Sequence, residues 1–205
     1  MRCALLHGFA GDPAAWDEVI DAWSLREAPI AVALPGHGGG PVLDTWEDNL
    51  NVVAGAVVGC DVVVGYSLGA RVALGLVAGG RAAHGVFIGV NPGINDSERA
   101  QRREFDAAWT RLLRSSGIEA FHEAWMQQPL FATQSRVQTD KLERRRQRRL
   151  KLDAEQLARS LEVMGIANMP DYWGAIPAHR DRIALIAGAD DPKYVAISSG
   201  LPCAS

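Results

Sequence analysis

Short apolar segments alternate with amphipathic segments through the first ninety residues of the chain, and a further apolar segment follows near residue 185. Short, continuously apolar runs of this kind are typical of buried strands in a mostly parallel sheet. They occupy residues 3–6, 30–34, 61–64, 85–90 and 182–188. Helical periodicity occupies residues 13–23, 45–58 and 70–77, and the first of these helices should begin with Asp12 as N-cap and Pro13 as its first residue.

The pattern changes after residue 95. From residue 96 to about residue 169 no strand-like run occurs, and apolar residues recur at helical spacing among many Arg, Gln and Glu residues. This stretch predicts three or four helices that form a lid inserted into the sheet domain. The predicted fold class is therefore α/β, with a mostly parallel core at residues 1–95 and 175–205 and a helical lid at residues 96–174.

The composition argues against some classes of partner but does not identify a partner. The chain has 205 residues, of which 48% are hydrophobic and 22% charged, with a formal net charge of -3. This balance favours one soluble domain and gives no support for a nucleic-acid or membrane partner. The three cysteines, Cys3, Cys60 and Cys203, are too scattered to suggest a disulfide framework or a metal site, so we expect a cytoplasmic protein without metal.

The most informative motif is the pentapeptide GYSLG at residues 65–69, which lies between an apolar run and a helical stretch. In a strand–turn–helix context, G-x-S-x-G is the nucleophile elbow of the α/β-hydrolase fold. The motif makes Ser67 the candidate catalytic hydroxyl. It also places the Leu68 amide at a helix N-terminus, where it is suited to stabilise an oxyanion. A chance glycine–serine turn is the alternative.

Two glycine–histidine loops follow the first two predicted strands. The loop after the first strand of this fold supplies the second oxyanion donor, and here that donor is expected to be the Phe9 amide. We expect His7, in the same loop, to make structural hydrogen bonds rather than to transfer protons. We expect the same loop-stabilising role for His37 in the second loop.

The acid of a catalytic triad is expected after the strand at residues 182–188. Asp191 is the candidate, Asp190 is its competitor, and a helix N-cap before Pro192 is a second role that suits Asp191.

The sequence supplies no convincing catalytic histidine. The order in this fold is serine, acid, histidine, yet no histidine follows His179. His84 and His179 precede strands, which places them at the opposite edge of the sheet, and His122 lies in the predicted lid. We therefore expect a C-terminally shortened form that lacks the final strand and helix and has little or no turnover.

A basic run at residues 143–151 is open to three interpretations. It could be a solvated helix face, a nucleic-acid patch, or a source of one or two arginines that clamp carboxylates in the cleft. Arg71, one helical turn after Ser67, is suited to the same clamping role.

Taken together, the motifs resemble those of the SHCHC synthase family, known as MenH, where SHCHC is 2-succinyl-6-hydroxy-2,4-cyclohexadiene-1-carboxylate. The likeness is carried by residues 7–12 (HGFAGD), 34–38 (LPGHG), 65–71 (GYSLGAR), 125–132 (WMQQPLFA) and 188–194 (GADDPKY). It extends over nearly the whole chain, and the lid segment makes it more specific than the elbow alone.

The resemblance implies a cofactor-free carbon–oxygen lyase of menaquinone biosynthesis. Such an enzyme eliminates pyruvate from 2-succinyl-5-enolpyruvyl-6-hydroxy-3-cyclohexene-1-carboxylate, a small polycarboxylate. Carried over by position, the resemblance implies that Ser67 and Asp191 are triad members. The carboxylate-binding and pocket-wall residues that it implies are Arg71, Arg102, Arg149, Tyr66 and Trp125.

Two other functions remain open from the sequence. An esterase or thioesterase of the same fold would use Ser67 as an acyl nucleophile and would have a less cationic pocket. A degenerate binding protein is favoured by the missing histidine, whereas the intact elbow and the lid arginines argue against it.

Overall fold

The computed structural model describes residues 1–24 and 26–200 and contains a five-stranded parallel sheet in the order β2-β1-β3-β4-β5. All of the predicted strands are present in this part of the chain. They are β1 Cys3–Leu6, β2 Ile30–Val32, β3 Val62–Tyr66, β4 His84–Ile88 and β5 Ile183–Ile186. Cys203 and the other residues beyond residue 200 lie outside the described residues.

Helices cover the sheet and form the segment between β4 and β5. They are α1 Asp17–Asp21, α2 Trp46–Ala56, α3 Leu68–Ala78, α4 Asp96–Met126, α5 Thr139–Arg149, α6 Ala154–Met164, α7 Ala175–Ala178 and α8 Pro192–Ser199. In the described residues, none of these helices is both long enough and apolar enough to cross a bilayer.

The strand β3 lies at the centre of the sheet, between β1 and β4, and leads directly into α3. The helix α3 is almost completely buried, which explains its apolar sequence on all sides. The main hydrophobic core lies between α3 and the sheet and includes Val63, Leu74 and Phe87. Because all strands are parallel, their carboxyl ends meet at one edge, and the loops after β1, β3 and β5 are brought together there.

The helices α4, α5 and α6 lie in the stretch that the sequence predicts as a lid, and we keep the name lid for residues 96–174. The helix α4 is bent at Gly117, whose φ of 78° and ψ of -177° interrupt the helical backbone. A second apolar cluster lies beneath α4 and α6 and contains Leu113, Phe121 and Leu157. Ala10, from the loop after β1, belongs to the same cluster, so the lid and the sheet domain share this core.

The first helix differs from its prediction. Residues 13–23 form a 3-10 turn at Pro13–Trp16 followed by the short helix α1, rather than one continuous helix. Asp12 has extended backbone geometry before Pro13, but its side chain does not cap the turn. Instead, one carboxylate oxygen of Asp12 accepts a hydrogen bond from Arg148 at 3.0 Å, because α5 of the lid packs over this loop.

Candidate active site

The turn at Ser67 has the strained geometry of a nucleophile elbow. Ser67 has φ of 53° and ψ of -109°, which L-residues rarely adopt. The flanking glycines are required by close approach: a β-carbon on Gly65 would lie 2.2 Å from the Gly69 carbonyl oxygen, and one on Gly69 would lie 2.2 Å from that of Leu6. The turn therefore packs against both α3 and β1 and presents Ser67 at the carboxyl edge of the sheet.

The loop after β1 lies directly against this turn. A β-carbon added to Gly8 would be 3.5 Å from the Ser67 β-carbon. The Gly8 carbonyl accepts hydrogen bonds from His7 Nδ1 at 2.8 Å and from the Gly11 amide at 3.1 Å. Because a trans peptide directs its N–H opposite to its C=O, the Phe9 amide points away from these two donors. Within the described residues neither the Phe9 nor the Leu68 amide has a hydrogen-bond acceptor.

His7 and His37 hold this loop in place as buried, neutral imidazoles. The Nε2 atom of His7 accepts from the Leu34 amide at 3.2 Å, and the Nε2 atom of His37 accepts from the Ala10 amide at 3.0 Å. In each ring the Nδ1 atom is therefore the protonated donor. Burial lowers the pKa of His7. Burial, and then the charge that His7 would carry, lower the pKa of His37 to about 3. The expected loop-stabilising role of both histidines matches these contacts.

A cavity of about 400 Å³ opens at Ser67, at the boundary between the sheet edge and the lid. Its lining mixes polar and apolar surface about equally and includes two of the arginines named from the sequence. The lining residues are Ser67, Arg71, Gly89, Asn91, Ile94, Glu98, Gln101, Arg102, Phe105, Ile166, Lys193 and Tyr194.

Arg71 reaches this cavity from α3. Its Nη1 atom donates to the Met164 carbonyl at 2.8 Å. Burial and the nearby charge of Arg102 lower the pKa of Arg71 to about 10. Two like charges thus face one cavity, an arrangement that a bound anion would relieve.

Arg102 reaches the cavity from α4 and is held by a buried acid. Its Nε atom lies 3.0 and 3.1 Å from the two carboxylate oxygens of Asp106. The neighbouring arginines have other environments: Arg99 donates to the carbonyls of Ala167 and Met169, and Arg103 is exposed. Of the three, only Arg102 lines the cavity.

The two candidate acids have different surroundings. The Asp191 carboxylate accepts from the Tyr194 amide at 3.2 Å and so caps α8, as the alternative interpretation of this residue proposed. Burial, and then the negative charge of Asp191, raise the pKa of Tyr66. Asp190 instead pairs with Arg136 at 3.0 Å on the surface.

The remaining three histidines, all in the described part of the chain, are bound elsewhere. The Nδ1 atom of His84 contacts the Asp61 carbonyl at the start of β4, and that of His179 contacts Arg182 before β5. The Nδ1 atom of His122 accepts from Arg149 in the lid at 3.1 Å. None of the five histidines in the sequence lines the cavity around Ser67.

Comparison with known proteins identifies the family. The model of the alpha/beta hydrolase family matches residues 4–202. The 2-succinyl-6-hydroxy-2,4-cyclohexadiene-1-carboxylate synthase of Escherichia coli O157:H7 is 33% identical to this chain over an alignment covering 96% of the chain and 80% of that protein. The chain belongs to the MenH family of α/β-hydrolase-fold enzymes. The same synthase of Shigella sonnei (strain Ss046) is 32% identical with equal coverage.

Solved structures agree with the MenH assignment. The structure of MenH from S. aureus superposes with a TM-score of 0.87 at 27% identity and covers 97% of this chain and 79% of that one. A thermophilic esterase from Thermogutta terrifontis gives a TM-score of 0.77 at 20% identity and covers 98% of this chain and 78% of that one. At that identity the esterase shows the shared fold alone.

Three residues that the MenH resemblance implies in the pocket are absent from the lining of the described cavity. Tyr66 is 49% exposed and lies beside Gly8. Trp125 packs among lid aromatics, with its ring stacked on Phe121 at 5.3 Å. Arg149 donates from Nε to the Ala10 carbonyl at 2.9 Å, and its Nη1 atom contacts His122 and Met126.

Several lining residues were not found from the sequence of this MenH-family chain. Lys193 and Tyr194 enter from the start of α8, and Gln101 from the first half of α4. The Lys193 ammonium lies 5.7 Å from the centroid of the Tyr194 ring. Lys193 could have been found from its position two residues after Asp191. That position is the N-terminus of a helix that follows β5, and it faces the same sheet edge as the elbow.

Proposed function

We propose that this chain acts as an SHCHC synthase, eliminating pyruvate from 2-succinyl-5-enolpyruvyl-6-hydroxy-3-cyclohexene-1-carboxylate. The proposal rests on one observation: the Ser67 residue and the Arg71 and Arg102 side chains line the same cavity. A substrate with several carboxylates matches a cavity with paired guanidinium groups, because each guanidinium presents donors in a fork that fits a carboxylate. An ester substrate would not require these charges.

Each residue then has a distinct role. Arg71 and Arg102 bind substrate carboxylates, and the amides of Phe9 and Leu68 stabilise negative charge that develops as a ring proton leaves. Ser67 supplies the hydroxyl at the reacting centre. Asp191 occupies the position of the acid in the MenH motif, where it caps α8, and no histidine among the described residues connects it to Ser67. The elimination forms a ring double bond while the C–O bond to the enolpyruvyl group breaks, and the ring proton leaves by way of the Ser67 hydroxyl to solvent. The released enolpyruvate takes up a proton and becomes pyruvate, so no metal or organic cofactor has to accept electrons.

We further propose that turnover of this chain is slow. A serine hydroxyl is a weak base and nucleophile unless an adjacent imidazole accepts its proton. The histidines are held by Leu34, Ala10, Asp61, Arg149 and Arg182 rather than by Ser67. The loss of a positioned general base costs about 10²–10⁴-fold in rate.

Single-turnover pyruvate release tests the proposal. With protein in excess over the enolpyruvyl substrate, we expect slow pyruvate release that Ser67→Ala abolishes. Ser116→Ala, at an exposed lid serine, is the matched control and should leave the rate unchanged. Release that persists in Ser67→Ala, or faster cleavage of a simple aryl ester than of the polycarboxylate, would contradict the synthase assignment.

A further inference from the structure

The backbone of Ala10 is held on both sides of its α-carbon. Ala10 has a positive φ of 54°, an unfavourable conformation for a residue with a β-carbon. Its amide donates to His37 at 3.0 Å, and its carbonyl accepts from Arg149 at 2.9 Å. A strained backbone persists only where surrounding contacts hold it, so these two bonds maintain the loop conformation.

The two supports come from different parts of the molecule. His37 belongs to the loop after β2 in the sheet domain, whereas Arg149 is the last residue of α5 in the lid. Arg148, the preceding residue, pairs with Asp12 at 3.0 Å, so the end of α5 contacts the same loop twice. The lid thus supplies one of the two hydrogen bonds made by the Ala10 backbone.

The side chain of Phe9 makes a second connection between this loop and the lid. Its ring meets Trp125 edge-on at a centroid distance of 5.3 Å and Phe121 at 6.1 Å. Ala10 is buried in the same apolar cluster. Movement of the lid would therefore shift both the side chain and the backbone of the residue that carries the proposed oxyanion donor.

We propose that Arg149 is a positioning residue that couples the lid to the oxyanion loop at residues 8–11. By binding the Ala10 carbonyl, it orients the Ala10–Gly11 peptide, whose N–H donates to the Gly8 carbonyl at 3.1 Å. The Gly8 carbonyl shares its peptide plane with the Phe9 amide, so the orientation of that amide depends on this hydrogen bond. The role of that amide rests on the proposed function, whereas the contact between Arg149 and the loop does not. Arg149 acts through the backbone rather than on the substrate, because its guanidinium contacts Ala10, His122 and Met126 and does not line the cavity.

The geometry of Arg149 suits this role better than carboxylate binding. Its guanidinium is planar and offers several donors in a fixed arrangement, so one side chain contacts the loop carbonyl and α4 together. The Nη1 atom donates to the lone pair of His122 Nδ1, which requires that ring to be neutral, and burial and then the charge of Arg149 lower the pKa of His122. The contacts of Nη1 with His122 and Met126 on α4 thus hold the guanidinium so that its Nε atom points to the Ala10 carbonyl.

Hydrogen exchange measures this coupling without any turnover. In Arg149→Met, the amides of Ala10 and Gly11 should exchange about tenfold faster, because the loop opens locally more often. The exchange of Val63 at the sheet centre serves as the reference for global stability. Arg149→Lys should restore part of the protection, and Arg145→Met, at an exposed arginine of the same helix, should change nothing. Loop exchange that stays unchanged, or rises only in proportion to that of Val63, would overturn the proposal.

Single-turnover kinetics separates positioning from substrate binding. Arg149→Met should lower the rate of pyruvate release at saturating substrate about ten- to a hundredfold, with little change in the half-saturating concentration. A weakened affinity with an unchanged maximal rate would instead make Arg149 a carboxylate ligand and overturn the positioning role. If the unsubstituted protein releases no pyruvate, the synthase assignment fails, and the exchange measurement alone decides whether Arg149 holds the loop.

Discussion

His7 and His37 contribute hydrogen bonds that depend on their neutral form. Each ring uses Nδ1 as a donor and Nε2 as an acceptor for a backbone amide. Protonation of Nε2 would replace an acceptor with a donor that faces another N–H group. The conformation of the loop after β1, which His7 and His37 hold next to the elbow, should therefore depend on pH.

Acid should weaken the fold through His37. Its pKa is lowered to about 3 from an ordinary value of 6.5, so below pH 6.5 the unfolded chain binds a proton that the folded chain refuses. The free energy of unfolding therefore falls as the pH decreases through this window, by about 1.4 kcal/mol per pH unit for one proton. His7, whose pKa is also lowered, acts in the same direction.

Urea unfolding at several pH values between about 7.5 and 5 checks this sign. His37→Gln should be less stable at neutral pH but lose stability less steeply on acidification, since one proton uptake is removed. His84→Gln, at an exposed position at the start of β4, is the control and should retain the steep dependence. Equal slopes for the His37 variant and the unsubstituted protein would contradict the prediction.

At the level of elements, the lid depends on a bend in its longest helix. Gly117 separates a long N-terminal part of α4, which carries Arg102 to the cavity, from a short C-terminal part, which carries Phe121 and Trp125 to the loop after β1. Because the φ and ψ at Gly117 lie in a region that side chains hardly permit, glycine fixes where the helix changes direction.

Gly117→Ala should therefore destabilise the protein by about 1–3 kcal/mol. The cost is conformational rather than steric, because a β-carbon at Gly117 would meet nothing within 4 Å. Gly55→Ala is the matched control: a β-carbon there is also free of contacts, but Gly55 lies inside α2. That change should stabilise the protein by about 0.5–1 kcal/mol. Urea unfolding compares the two variants, and an equally stable Gly117→Ala would show that the bend does not need glycine.

Elements were easier to predict than their bounds. The sequence predicts all five strands, since each is a short apolar run, but the second strand ends at Val32 rather than at residue 34. The residues after Val32 instead form the loop in which His37 and Gly36 make tertiary contacts. The helix after residue 12 is shortened in a similar way, because packing of α5 draws the Asp12 side chain to Arg148 and away from a capping position.

For the molecule as a whole, the cavity concentrates positive charge in a chain that is slightly acidic. Among the described residues that line it, the basic side chains are Arg71, Arg102 and Lys193, and the one acid is Glu98, whose Oε2 atom accepts from the Asn95 amide. The formal net charge of the chain is -3, so the charge around the cavity is opposite in sign to that of the whole chain. Clefts of this kind attract anions selectively.

A polycarboxylate should therefore stabilise the folded protein. Citrate in excess over its dissociation constant should raise the melting temperature by about 2–5 °C, whereas acetate at equal ionic strength should not. Arg102→Met should reduce the citrate shift, measured relative to its own melting temperature because Asp106 loses its partner. Arg103→Met, at the exposed neighbour, should retain the full shift. An equal response of both variants would place the anion elsewhere.

The sequence by itself determined the fold class, the elbow at Ser67 and the family, because these depend on local patterns. Short apolar runs specify strands, and G-x-S-x-G between a strand and a helix specifies a turn whose glycines permit close backbone approach. The structural use of His7 was also predicted from its position in a glycine loop.

Only the tertiary structure showed which arginines line the cavity and which one binds the backbone. Arg71, Arg102 and Arg149 are equivalent as cations in the sequence, yet two line the cavity and the third binds the Ala10 carbonyl. The direction of a long, flexible side chain depends on which acceptors remain unpaired when helices pack, and here Asp106 holds one guanidinium while the loop after β1 holds another. The Arg102–Asp106 pair joins residues four positions apart on one helix, whereas the Arg149–Ala10 contact joins residues 139 positions apart and leaves no local pattern from which it can be inferred.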